Sequence, residues 1–204
     1  MALRVELRAF AAWTLLGLGS IIAVALASAI LASNFGDGQT RNMIRLSLAW
    51  YAAALGLMMF MRPADWPAQT RLGRAARWCW TWGAACFVVH VLLAFHYFHH
   101  WSHTQAFEHT RAVSGVGEGL YVSYLFTCLW VADASFWWLA PRRYAARSVW
   151  LDRLLHGFML FMVFNGTVVF ETGPIRWVSL VVLAVLGVMW MLSRGTVSSP
   201  SEIR

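Results

Sequence analysis

Six long apolar stretches, near residues 10–32, 44–61, 79–98, 116–139, 154–170 and 176–193, follow one another with short connections between them. Each approaches or exceeds the roughly 17 residues that a helix needs to cross a bilayer core. Within lipid there is no water to satisfy the backbone, so a spanning segment closes its hydrogen bonds internally, as a helix or in a closed barrel. These runs are continuous and lack the two-residue alternation of barrel strands. The expected fold class is therefore all-α: a polytopic membrane protein, a six-transmembrane-helix bundle, with residues 1–204 forming a single integral membrane domain. Only 12% of the residues are charged, about half the share found in a soluble domain. No internal repeat is evident.

The first apolar run follows MALRVELR, and ASA near its end resembles a cleavage site. The run exceeds the roughly 7 to 15 residues of a signal core, so an uncleaved helix is expected.

All sixteen basic residues are arginine. They flank the apolar runs and form no patch on a soluble fold, which argues against nucleic acid as a partner and for membrane-topology charges. Arg4, Arg8, Arg62, Arg71, Arg74, Arg77, Arg142, Arg143, Arg147, Arg153, Arg194 and Arg204 fall on one side of a six-span chain; Arg41, Arg45, Arg111 and Arg176 fall on the other. Twelve against four places both termini in the cytoplasm, an N-in/C-in topology. The expected location is the inner membrane of a bacterium, with the end of the third span facing the periplasm.

That end carries HYFHHWSHTQAFEHT, residues 96–110, which holds five of the seven histidines. If the third helix continues past Phe98, His96, His100 and His103 share a face by i, i+4, i+7 spacing, and His96, His99 and His103 by i, i+3, i+7. His90 lies about 9 Å deeper by helical rise. His109 reaches the same region only if the loop folds back. Imidazole is the commonest side-chain ligand for zinc, copper and iron, and several imidazoles on one face offer preorganised ligands. The expected metal ligands are His96, His99, His100 and His103, with His90, His109, Glu118 and Glu171 as secondary candidates. Tyr121 and Asn165 fall at depths where they would orient imidazoles. The competing reading is structural: histidines, tryptophans and tyrosines settle at the membrane–water interface.

The inner half has its own polar pair. Asp133 lies inside the fourth span and His156 near the start of the fifth, so Asp133 is expected to pair with His156 or Arg153 as an inter-helix bond. Haem b on His90 and His156 fits less well, since their depths differ by more than about 10 Å. Met58, Met59 and Met61 have no histidine or cysteine near them in sequence and read as packing residues. Cys79, Cys86 and Cys128 read as buried small hydrophobes without zinc-finger spacing. GVGEG at 115–119 has no preceding strand and reads as a flexible entry to the fourth span, not a nucleotide loop.

His96-Tyr97-Phe98-His99-His100 forms an H-x-x-H-H box. It resembles one histidine box of the membrane fatty-acid hydroxylases and desaturases, and that resemblance implies a di-iron site. It covers five residues. Those enzymes carry three boxes on the cytoplasmic side, whereas this chain has one, and its arginines place that one outside. FHYFHHWSHTQAFEHT, GLYVSYLFTCLWVADASFWW and LHGFMLFMVFNGTVVFE together resemble a group of multi-span bacterial inner-membrane proteins of planctomycete type. This covers roughly residues 80–180 and implies a location without an activity.

The functional expectation is an integral membrane protein with a histidine-rich metal site at its extracytoplasmic face. Copper or iron there suits a membrane oxidoreductase acting on a lipid or quinone, and zinc a hydrolytic or structural role. The alternative is a non-catalytic accessory or assembly subunit of a larger membrane complex, with other membrane subunits as partners beside the lipid bilayer. A proton-linked carrier using His90, Asp133 and His156 is a third reading, opposed by the lack of repeated halves.

Overall fold

The structure is a computed structural model that describes residues 2–195, with side chains from 6 to 193. Arg204 and the side chains of Arg4 and Arg194 lie outside the described residues. The described chain is helical throughout and contains no strand: α1 (Ala2–Leu31), α2 (Phe35–Met59), a 3₁₀ turn (Pro63–Asp65), α3 (Arg71–Tyr97), α4 (His103–Ser114), α5 (Gly119–Leu139), α6 (Pro141–Ala145), α7 (Val149–Phe164), a π segment (Asn165–Val169) and α8 (Pro174–Gly195). Among the described residues, four helical stretches are long and apolar enough to cross a membrane: Glu6–Leu31, Arg71–Tyr97, Gly119–Leu139 and Pro174–Ser193.

α2 differs from its sequence reading. It starts at Phe35, nine residues before the apolar run at 44. Asn34 caps it, its side-chain oxygen accepting from the Asp37 amide at 3.2 Å, and Asp37 pairs with Arg41 one turn on at 2.7 Å. A cap and an i,i+4 ion pair extend a helix through residues too polar to register as a span. α7 is apolar but covers only 16 residues before the π segment continues it.

The outward faces are apolar. On α1, Leu15, Ile22, Leu26 and Ile30 are exposed; on α8, Val178, Val181, Val185 and Leu192 are. Contiguous apolar surface on this scale has no stable place in water. The fully buried side chains include the large aromatics Trp80, Trp130, Trp137 and Tyr144. Cys79 and Cys86 are buried as expected, whereas Cys128 is exposed on α5.

The described residues form two compact units. One comprises those up to Tyr51 together with Trp78–Val122; the other comprises Ala52–Arg77 together with those from Ser123 on. In the first unit α1 and α3 approach closely at Gly17, where an added Cβ would lie 1.8 Å from the Trp82 ring. The Trp82 indole N–H donates to the Trp13 carbonyl at 3.1 Å, tying the same two helices. Ser47 on α2 donates to the Gly83 carbonyl of α3 at 2.8 Å. In the second unit the Trp137 indole donates to the Trp66 carbonyl at 2.8 Å, and Tyr144 stacks on Trp137 with centroids 4.7 Å apart.

Candidate functional site

The histidine segment folds as an elbow, not as a continued helix. α3 ends at Tyr97. His100 and Trp101 then take left-handed backbone angles, φ 45° and 60°, which non-glycine residues adopt only at a cost. The turn is closed by backbone bonds from Trp101 N to the Phe95 carbonyl (3.0 Å) and from Ser102 N to the His99 carbonyl (2.7 Å). Ser102 caps α4, accepting from the Gln105 amide. At its other end α4 stops at Gly115, whose φ of 80° suits glycine.

This geometry corrects the spacing argument. The helix does not run past Phe98, so His96, His99, His100 and His103 do not lie on one helical face. His96 is exposed on the last turn of α3, its ring edge-on to Tyr97 at 4.7 Å and 6.4 Å from Trp101. His100 is exposed in the turn. His103 is exposed at the start of α4, 5.8 Å from the Tyr121 ring. His99 is half-buried against Phe95 (5.4 Å), and its other neighbour is His109, 5.2 Å between ring centroids. The loop does fold back, and it brings His109 to His99. Burial, with the charges of His109 and His100, holds the His99 imidazole below its ordinary pKa.

The other candidates are engaged elsewhere. His90 Nδ1 donates to the Thr40 carbonyl of α2 at 2.9 Å; Asn165, on the second unit, donates to the Phe161 carbonyl of its own helix at 2.8 Å. Glu118 is exposed in the turn before α5. Glu171 belongs to the second unit, where its carboxylate accepts from the Gly173 amide at 3.1 Å. Among the described residues no group of three or more histidine, cysteine, aspartate or glutamate side chains is placed to hold a metal ion.

The second unit contains a polar network that the sequence showed only in outline. Asp133 is ion-paired with Arg147. Its Oδ1 accepts from Arg147 at 2.5 Å and its Oδ2 from the Tyr144 hydroxyl at 3.0 Å. Arg147 also donates to Asp152 Oδ1, and His156 Nε2 lies 3.5 Å from that oxygen. Arg153 instead faces the Trp150 ring. The Arg147 guanidinium lies 3.9 Å over the Tyr144 ring, and only 8% of the side chain is exposed. Burial pushes the Tyr144 phenol well above its ordinary pKa, aided by Asp133. Burial alone would raise the Asp152 carboxyl, but its bond to His156 and the Arg147 charge outweigh that and hold it below the usual range. Arg147 and Tyr144 are the residues that sequence reasoning missed as site members. They lie beyond Pro141, in a short helix and turn where no helical periodicity links them to Asp133. The available signal was a charged residue inside a span, which requires a partner of opposite sign.

Asp152 and His156 line a cavity of about 530 Å³ together with Met58, Met59, Trp66 and Trp190. The fold thus brings a histidine to the methionines that the sequence left isolated. Leu55, Met59 and Trp190 also line a second, apolar cavity of about 810 Å³ along α7 and α8.

Comparison with family models, with curated proteins and with solved structures gave no match.

Proposed function

We propose that the chain is a bacterial inner-membrane protein with six spans and cytoplasmic termini, whose periplasmic elbow binds a first-row transition metal through His99 and His109. The observation that carries the metal reading is the pair itself: two imidazoles from opposite arms of the elbow, 5.2 Å apart between centroids. His99 favours its neutral form, the form that coordinates. Two protein ligands leave coordination positions for water or substrate, the arrangement a catalytic site requires rather than a closed structural one. Copper or iron held this way suits a membrane oxidoreductase.

Two observations support the six-span count. α2 covers 25 residues, and α7 with its π segment covers Val149–Val169, so both are about long enough to span. The twelve-to-four arginine balance supports the orientation.

The test is metal content after purification in mild detergent, loading with Cu²⁺ or Zn²⁺ and removal of excess. Wild type and the double variant His96→Ala/His103→Ala are expected to retain metal stoichiometrically. His99→Ala/His109→Ala is expected to lose it. Equal retention by all three would overturn the assignment.

A further inference from the structure

We propose that the cleft formed by α2, α7 and α8 binds one lipoquinone-type molecule, with its ring at Asp152 and His156 and its polyprenyl tail along α7 and α8. The site belongs wholly to the second unit and does not rest on metal at the elbow.

The first observation is the gradient of polarity. The two cavities share Leu55, Met59 and Trp190 and so adjoin, the polar and apolar ends of the cleft. One end presents a carboxylate and an imidazole, Asp152 and His156. The other presents Leu160, Phe161, Phe164, Leu180 and Leu183 and no ionisable group. Such a cleft fits an amphipathic ligand, polar at one end only.

The second is length. His156 and Phe164 are eight residues apart on one helix, about 12 Å by helical rise. That is a little under half of the ~30 Å hydrocarbon core. On the proposed topology the polar end lies toward the cytoplasmic interface and the apolar end reaches toward the midplane, as the head and tail of a membrane lipid do. Phe161 is 59% exposed and Leu160 43%, so the apolar end opens sideways and a lipid-soluble ligand enters from the bilayer.

The third is charge, which selects the head. Among the described residues no arginine lines the cleft. Beside it two carboxylates, Asp133 and Asp152, share the one guanidinium of Arg147. A phosphate or carboxylate head would meet repulsion. A neutral head with ring oxygens would not: His156 donates to a quinone carbonyl or accepts from a quinol hydroxyl. Trp66 and Trp190 line the same end, and aromatic walls suit a planar ring.

The fourth is spare room. Gly157 and Gly187 both line the apolar end, and a Cβ added at either meets nothing within 4 Å. A side chain introduced at either has open space at the edge of the cleft.

The experiment titrates the detergent-purified full chain with ubiquinone carrying two isoprene units, read by native mass spectrometry, alongside phosphatidylglycerol as competitor. Wild type is expected to bind one quinone and to keep it against phosphatidylglycerol. His156→Ala is expected to weaken binding roughly tenfold, the loss of one hydrogen bond, and His156→Gln to retain most of it. Gly187→Trp, which fills the tail channel, is expected to abolish it while melting temperature stays at the wild-type value. Equal quinone affinity in all four proteins, or displacement by equimolar phosphatidylglycerol, would overturn the proposal. Because the His99→Ala/His109→Ala protein keeps this site intact, quinone binding that survives in it separates failure of the metal reading from failure of this one.

Discussion

Arg147 and Asp133 meet at 2.5 Å with only 8% and 6% of their side chains exposed. A pair this enclosed gains from its short contact but has lost the hydration of both charges, and its value depends on neither partner being left alone. Asp133 keeps its second oxygen satisfied through Tyr144, and Arg147 spends its second nitrogen on Asp152. Every charge in the network therefore faces an opposite charge or a donor.

Removing one partner strands the other. Arg147→Met is expected to destabilise the protein by about 3–5 kcal/mol, the usual cost of an uncompensated buried charge. Asp133→Leu combined with Arg147→Met is expected to cost less than Arg147→Met alone, since no orphan remains at Asp133. Thermal melts of wild type, Arg147→Met, Asp133→Leu and the double variant in one detergent measure the difference; additivity would show that the pair is not coupled.

The Tyr144 ring and hydroxyl have separable roles. Tyr144→Phe keeps the stack on Trp137 and loses the bond to Asp133, a loss of about 1.5–3 kcal/mol for a hydrogen bond to a charged group. Tyr144→Leu loses the stack and the cation–π contact with Arg147 as well, and is expected to cost at least about 1 kcal/mol more. The comparison of the two melts is the check.

Gly17 is required by the approach of α1 to α3. With an added Cβ 1.8 Å from the Trp82 ring, Gly17→Ala forces the helices apart or the indole out of place. A loss of about 1–3 kcal/mol is expected, typical of overpacking. Gly19, where nothing lies within 4 Å, serves as control: Gly19→Ala is expected to leave the melting temperature unchanged or raise it, through better helix propensity.

Acid is expected to weaken the elbow first. The His99 pKa is depressed in the fold, so as pH falls below about 6.5 the unfolded chain takes up a proton that the folded chain refuses. The stabilisation is present above the unfolded value and is lost as pH falls toward the folded one. Asp152 is also depressed, so its contribution is full above an unfolded value of about 3.9 and fails only below it. Melting temperature against pH should therefore show two separate declines. His99→Gln should lessen the upper one and Asp152→Asn the lower one.

His100 is expected to tolerate glycine. Its φ of 45° costs a non-glycine residue about 1–2 kcal/mol, partly offset by the greater entropy of glycine in the unfolded chain. His100→Gly should melt at or slightly above the wild-type temperature and keep its metal, whereas a ligand role for His100 would cost both.

The sequence by itself determined the helical, membrane-type character of the chain. That property is additive along the chain: long apolar runs, little charge, and arginines gathered at the ends of those runs are each read without knowing what packs where. It also flagged the residues that matter, since His99, His109, Asp133 and His156 all stood out as polar groups in or beside apolar runs. Tertiary structure decided how they pair. Helical spacing predicts neighbours only while the helix lasts, and α3 ends at Tyr97; the left-handed turn at His100 and Trp101 then swings α4 back so that His109 meets His99 and the i, i+4, i+7 set is broken. Asp133 likewise announced its need for a partner but not the partner's identity. Arg147 reaches it through α6 and a turn, a path with no periodicity to read.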